Sequence, residues 1–151
     1  GILTICKDET GVAVVMGHEI AHAVAYHGNE RVSQSLALQG LATGVDIAAV
    51  LNGRDAQSRE VIKTAYGAAA QVGVMLPFSR KHESEADEMG LMFMSMAGYN
   101  PEEAPKFWDR MSQLSGERSP VMLSTHPHPQ KRQDDLRALV PKAMEIYNQN
   151  K

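Results

Sequence analysis

Apolar residues along this chain recur mainly at helical spacing. The residues from 11 to 26 are almost entirely apolar, which is typical of a helix buried on all sides. A second apolar stripe follows from Glu30 to about Leu51. The full pattern predicts helices over residues 8–26, 30–51, 55–75, 80–97, 101–114 and from 130 onward. We therefore expect a mainly α fold.

Local signals set the predicted ends of these helices. Asp8 or Thr10 can cap the first helix, and Gly28 suits a left-handed residue after its end. Pro77 is expected to separate the third helix from the fourth, and Pro141 to break the last one, since proline removes a backbone donor.

Composition limits the classes of function. A chain of 151 residues with 43% hydrophobic and 22% charged residues fits one globular domain, residues 1–151. Its net charge of -3 and the absence of a Lys/Arg cluster argue against nucleic acid as a partner. The single cysteine, Cys6, excludes an internal disulfide and a Cys-based zinc knuckle.

The sequence also carries expectations about membranes and targeting. Its most apolar stretch, Leu36–Leu51, is too short to span a bilayer and contains Gln39 and Asp46, so we expect no transmembrane segment in this chain. Peripheral contact with lipid is the alternative interpretation of the Gly/Ala-rich middle, around residues 55–75. Without an initiator Met or a signal peptide, the chain is expected to be a processed piece whose targeting sequence lies elsewhere.

The strongest chemical signal is the HExxH sequence from His18 to His22 in the first long helix. Residues four apart project from the same side of a helix, so the two imidazoles can bind one zinc ion. Glu19 lies beside them on a different line of the helix, where a general base can reach water without binding the metal. The motif predicts a zinc-dependent hydrolase.

A third ligand must come from elsewhere in the chain. The metzincin extension HExxHxxGxxH fails, because Ala25 and Gly28 occupy the positions of its Gly and final His. A di-iron bundle fails as well, since it needs two Glu-x-x-His pairs and only Glu19 with His22 is found. Glu83 and Asp87 share one face of the fourth helix and offer carboxylates, a common third ligand for zinc.

Two further segments complete a family pattern. The residues from Glu83 to Asp87 read ExxAD, and His126 to Arg132 read HPxxxxR, with prolines around His126 that stiffen its turn. With the HExxH sequence, these segments resemble the HtpX-like and CAAX-prenyl-protease-like zinc metallopeptidases. The likeness covers nearly the whole chain and is strongest to the branch with bacterial envelope lipoproteins and the Oma-type mitochondrial protease.

The resemblance implies a role for each matching residue. His18, His22 and Glu83 would bind one Zn²⁺ per chain, Glu19 would be the general base, and Asp87 would orient a ligand histidine. His126 would stabilise the oxyanion, and Arg132 would position the site. The implied fold is a helical zincin-like (gluzincin) catalytic domain, and the small N-terminal sheet of the family is expected to be largely missing from this chain.

The resulting prediction is a zinc endopeptidase that cleaves misfolded or membrane-associated proteins. The resemblance places it in the bacterial cell envelope or periplasm, with the mitochondrial inner membrane as the alternative. A different class of function is a zinc-stabilised interaction or chaperone-like module without turnover. Such a module needs a fourth protein ligand, for which His82, His126 and His128 are the candidates.

Overall fold

The computed structural model describes residues 2–113 and 130–151, and within these ranges it contains helices and no strand. The predicted mainly α fold is confirmed. The helices are α1 (Ile2–Cys6), α2 (Glu9–Val24), α3 (His27–Leu51), α4 (Ala56–Ala70), α5 (Leu76–Met96), α6 (Glu103–Gln113) and α7 (Gln130–Asn150), with a π-helical turn (Gln71–Met75) between α4 and α5.

The chain forms two compact units. The first unit combines Gly1–Ala25 with Glu83–Lys151, and the second, here called the hairpin unit, is Tyr26–His82. Helix α5 begins in the hairpin unit and continues into the first unit. The expectation of one catalytic domain over residues 1–151 stays a prediction.

The hydrophobic core of the first unit lies where α1, α2, α6 and α7 pack together with the later part of α5. Trp108 and Phe107 of α6 are its largest fully buried side chains. The core further contains Ile5, Cys6, Val14, Leu91, Met94, Ala104, Met111, Leu136 and Ala143. Because α2 is anchored on this core, its polar residues have fixed positions.

Two glycines allow α2 and α5 to approach closely. A Cβ atom added to Gly17 would lie 2.6 Å from the carbonyl oxygen of Gly90, and one added to Gly90 would lie 2.7 Å from the backbone nitrogen of His18. These are backbone atoms, which cannot rotate away as a side chain can. The crossing therefore sets the distance between the HExxH helix and the helix that carries Glu83.

The hairpin unit consists of α3 and α4 with the start of α5. Arg59 of α4 donates two hydrogen bonds, of 2.9 and 2.7 Å, to Asp46 of α3. The Tyr66 hydroxyl donates to the Leu38 carbonyl at 3.0 Å. Where the unit begins and ends, the rings of His27 and His82 stack with centroids 4.2 Å apart. Side-chain contacts therefore join the helices of the hairpin unit at three places.

Some predicted helix ends are confirmed and others are wrong. Asp8 caps α2, as its carboxylate accepts a 2.9 Å hydrogen bond from the Gly11 amide. The left-handed residue after α2 is Tyr26, with φ 56°, while Gly28 lies inside α3. Pro77 does not interrupt helical structure, because it occupies the first turn of α5, where a missing amide donor is tolerated. Pro141 lies inside α7.

The helix that contains the apolar stretch of the hairpin unit begins three residues earlier than predicted. It runs from His27 to Leu51, and by length and composition alone it could cross a membrane. Only 6% of its most apolar window is buried inside the structure. Among the described residues, it is the one helix that meets these criteria.

Candidate metal centre

Helix α2 places the two histidines of the HExxH motif side by side. The Nε2 atoms of His18 and His22 are 3.1 Å apart, and the ring centroids are 4.7 Å apart. His18 is buried and His22 is half-buried, so solvent reaches the second ring more readily than the first. The spacing of four residues thus produces the pairing predicted from the sequence.

Glu83 of α5 lies against both rings. Its Oε2 is 3.5 Å from His18 Nε2, and its Oε1 is 3.4 Å from His22 Nε2. The Gly17–Gly90 crossing, just beside His18, holds the two helices close enough for these contacts. Within the described part of the chain, His18, His22 and Glu83 form the one group whose donor atoms could bind a common metal ion.

The dimensions of this group suit zinc. Ligand atoms about 2.0–2.1 Å from a tetrahedral ion lie about 3.3 Å from one another. The two imidazole nitrogens are 3.1 Å apart, and each lies 3.4–3.5 Å from its nearer Glu83 oxygen, distances close to that value. Two imidazole nitrogens and one carboxylate are also a donor set that zinc accepts in catalytic sites.

Asp87 and Arg132 surround the donors. Asp87 Oδ1 is 3.1 Å from His18 Nδ1, the ring nitrogen that faces away from the donor group. Arg132 of α7 donates from Nε and Nη2 to the two oxygens of Asp87, at 2.7 and 2.9 Å. Its Nη1 is 3.1 Å from Glu83 Oε2. One buried guanidinium therefore fixes both carboxylates.

The charges of the site favour a bound cation. Two buried carboxylates, Glu83 and Asp87, outnumber the one buried guanidinium of Arg132. Burial disfavours protonation of His18, but hydrogen bonds and charges from Asp87 and Glu83 outweigh burial and raise the pKa of His18 to about 9. Burial would raise the pKa of Asp87, yet its hydrogen bonds with His18 and Arg132 lower that pKa. The carboxylates of Asp87 and Glu83 thus favour positive charge beside them.

Trp108 is a residue of the site whose contacts sequence reasoning missed. It belongs to the hydrophobic core, and its ring also meets the His18 ring edge-on with centroids 5.7 Å apart. The guanidinium of Arg132 lies 5.6 Å from the centroid of the same ring. No periodicity links Trp108 to the motif. Gly17 and Gly90 did leave a signal, because glycine inside a helix costs stability and often marks a close approach.

The remaining predicted site residues differ in placement. Glu19 is exposed and lies on the flank of α2 next to His18. His126 and His128 lie outside the described residues. His82, a candidate fourth ligand, belongs to the hairpin unit, where its Nε2 is 2.7 Å from Glu30 Oε2. Glu85, two residues after Glu83, is exposed.

Comparison with known proteins identifies relatives over nearly the full chain. The chain is 37% identical to mitochondrial metalloendopeptidase OMA1 of Schizosaccharomyces pombe over 145 residues, which are 95% of this chain and 40% of the relative. It is 35% identical to the Saccharomyces cerevisiae protein of the same name, over 99% of this chain and 42% of the relative. The β-barrel assembly-enhancing protease of Yersinia pestis is 29% identical over 86% of this chain and 27% of the relative.

The chain thus spans about two fifths of the length of the first two relatives. No solved structure matches it. The model of peptidase family M48 matches residues 1–140, which include every residue of the donor group and its surroundings. This protein belongs to peptidase family M48.

Proposed function

We propose that this chain is a zinc-dependent endopeptidase that cleaves misfolded or membrane-associated proteins. The observation that carries the proposal is the group of His18, His22 and Glu83, whose ligand atoms, one from each residue, all lie within 4.8 Å of one another. Three protein ligands are typical of catalytic zinc, because the remaining coordination position is left for water or substrate. Membership in a peptidase family and relatives named metalloendopeptidases support the same conclusion.

In this proposal, His18, His22 and Glu83 hold one zinc ion per chain. When bound, zinc supplies a Lewis acid that polarises the substrate carbonyl and makes water more acidic. Glu19 takes a proton from the attacking water and donates it to the leaving amine. Its exposed position on the flank of α2 allows contact with both water and substrate.

The residues around the donors keep them in position. Asp87 accepts a hydrogen bond from Nδ1 of His18, which leaves Nε2 of the same ring to face the metal. Arg132 holds Asp87 and Glu83 in fixed orientations through its three nitrogens. His126 is proposed to stabilise the oxyanion, an assignment that rests on the HPxxxxR sequence it shares with the family.

The alternative function is a zinc-stabilised interaction module, which needs a fourth protein ligand. Of the candidates, His82 is the one within the described residues, and its Nε2 is hydrogen-bonded to Glu30. The donor group found in the described ranges has three members. The Glu30 contact of His82 favours a catalytic site over a structural one, and the candidates His126 and His128 lie outside the described residues.

The substrate and the compartment are proposed from the relatives. Some relatives are named mitochondrial, and another is named for β-barrel assembly. These names are compatible with a location at the mitochondrial inner membrane or in the bacterial envelope. Unfolded protein segments are the proposed substrate class in either compartment, as an extended chain is what an endopeptidase site can bind.

The test compares two matched substitutions in α2. Glu19→Gln should keep one zinc per chain and lose hydrolysis of an unfolded protein, typically by a factor of about 10²–10⁴ for loss of a general base. Glu9→Gln makes the same chemical change at an exposed position in the first turn of this helix and should keep full activity. Turnover retained by Glu19→Gln would show that another group is the base. A wild-type chain that binds zinc and cleaves nothing would favour the interaction module.

A further inference from the structure

We propose that Trp108 is a positioning residue of the metal centre, whose indole holds the His18 ring and the Arg132 guanidinium in the orientations that zinc binding requires. The proposal rests on the proposed function in one respect, namely that His18, His22 and Glu83 bind zinc. It assigns a role to a residue outside the HExxH, ExxAD and HPxxxxR segments, and all the residues concerned belong to the first unit.

The helix backbone does not fix the His18 ring on its own. The torsion that turns a histidine ring has broad minima, so α2 alone does not determine where the two ring nitrogens point. Asp87 contacts Nδ1 of His18 at 3.1 Å, which restrains one edge of the ring. The contacts of Nε2 with His22 and Glu83 are those that a bound metal ion would replace. Packing against the ring must supply the remaining restraint.

Trp108 supplies this packing. Its ring plane is inclined by 70° to that of His18, with centroids 5.7 Å apart. Edge-to-face aromatic pairs typically have centroids about 4.5–7 Å apart. Trp108 is 1% exposed, and the cavity lined by Trp108, His18, Asp87 and their neighbours has a volume of about 10 Å³. That is room for no more than about one water molecule, so the His18 ring has little space to turn while the indole is present.

The same indole also faces Arg132. The guanidinium carbon lies 5.6 Å from the centroid of the Trp108 ring, within the reach of about 6 Å for a cation–π interaction. This attraction is strongest for tryptophan and larger away from water, and Arg132 is 4% exposed. Arg132 in turn contacts Asp87 and Glu83 through three nitrogens. An indole that holds Arg132 therefore also restrains Glu83, the third donor.

The neighbouring Phe107 shows what a role in the core alone looks like. It is as deeply buried as Trp108, but the cation beside its ring is Arg110, at 6.0 Å, which is not part of the metal centre. Any large apolar side chain at position 108 could fill the core. Attraction to the Arg132 guanidinium requires an aromatic face, which leucine lacks.

The test compares the zinc affinity of Trp108→Leu, Trp108→Phe and Met111→Ala in the full chain, measured on metal-free protein by competition with a chromophoric chelator. Trp108→Leu should lose about 10–100-fold in affinity, the range typical of residues that orient metal ligands. Trp108→Phe keeps an aromatic ring and should lose less. Met111→Ala, the control, removes buried volume from the same helix and should bind zinc as wild type does.

Cobalt absorption provides a measurement that a purely structural role would not change. Zn²⁺ has a filled d shell, whereas Co²⁺ has d–d bands whose energies depend on the arrangement of its ligands. Trp108→Leu loaded with Co²⁺ should show shifted bands. Met111→Ala should keep the wild-type bands even if urea unfolding shows that it is destabilised.

A folded Trp108→Leu protein with wild-type zinc affinity and cobalt bands would overturn the proposal. Equal changes in Met111→Ala would overturn it as well, because they would indicate a general effect of core volume. If Trp108→Leu does not fold, Trp108→Phe decides: weaker zinc binding with shifted bands supports the proposal, and wild-type values refute it.

Failure of this proposal is distinguishable from failure of the proposed function. Wild type whose cobalt bands depend on Trp108 but which cleaves no protein would refute the peptidase and support the positioning role. Wild type that cleaves protein and keeps its zinc affinity and cobalt bands in Trp108→Leu would do the reverse. Wild type that binds neither metal would refute both.

Discussion

Substituting Gly90 by alanine tests whether the crossing of α2 and α5 determines metal affinity. The new Cβ would lie 2.7 Å from the His18 nitrogen, whereas ordinary contact begins at 3.4 Å. The two helices must therefore separate by about 0.7 Å at this point, since the atoms involved are backbone and cannot rotate away. Separation moves His18 and His22 of α2 away from Glu83 of α5.

The effects on stability and on zinc binding should differ in size. Overpacking costs about 1–3 kcal/mol, and the better helix propensity of alanine returns about 1 kcal/mol, so folding should be destabilised by about 0–2 kcal/mol. A shift of about 0.7 Å exceeds the tolerance of about 0.5 Å for a preorganised site. We expect zinc affinity to fall at least tenfold, which corresponds to about 1.4 kcal/mol.

Competition with a chromophoric chelator measures zinc affinity, and urea unfolding measures stability. The control is Gly67→Ala in α4, because a Cβ atom there meets nothing within 4 Å. This control should leave zinc affinity unchanged and keep or slightly raise stability. Wild-type zinc affinity in a folded Gly90→Ala protein would refute the role assigned to the crossing.

Three further predictions follow from buried groups in the first unit. Arg132→Met should destabilise the chain by about 3–5 kcal/mol in urea unfolding, since it leaves Asp87 buried without its cation; a loss below about 1 kcal/mol would contradict this. Zinc added to metal-free protein should change the fluorescence of Trp108, the one tryptophan in the chain, because its ring contacts His18; an unchanged spectrum on stoichiometric binding would argue against that contact. Burial raises the pKa of the Cys6 thiol, so alkylation by iodoacetamide should be slow at pH 7–8 and become fast in urea, whereas rapid labelling of the native chain would place the thiol outside the core.

Features that depend on neighbouring residues in the sequence were predictable. Helical periodicity put His18 and His22 on one face, and the Nε2 atoms are indeed adjacent. The carboxylate of Asp8 at the start of α2 was recognisable as a cap, because this contact spans only three residues.

Features that depend on contacts between distant segments were not predictable from spacing. Glu83 could be selected over other carboxylates only by resemblance to a family, since nothing local links it to α2. The contacts of Trp108 with His18 and Arg132 arise from the packing of α6, which no periodicity specifies. Pro77 is the opposite case. A local rule predicted that it would break the helix, but it lies in the first turn of α5, just after the π-helical turn, and the chain stays helical there.

The expectation of no transmembrane segment also depended on a residue whose partner is distant in sequence. Asp46 was counted as a charge inside the stretch Leu36–Leu51, but it is paired with Arg59 within the hairpin unit. The pairing partner is thirteen residues away in sequence, so its effect appears only in the folded unit.

The most direct test of the central claim is the zinc content of purified protein, measured by inductively coupled plasma mass spectrometry for wild type and Glu83→Gln. The group of His18, His22 and Glu83 predicts one zinc per wild-type chain and its loss from Glu83→Gln, which retains the size of the side chain but removes the charged ligand. Exposed Glu85→Gln, two residues away, should keep one zinc. Wild-type protein without zinc after growth and assay in zinc-containing buffer, or full zinc content in Glu83→Gln, would contradict the proposed metal centre.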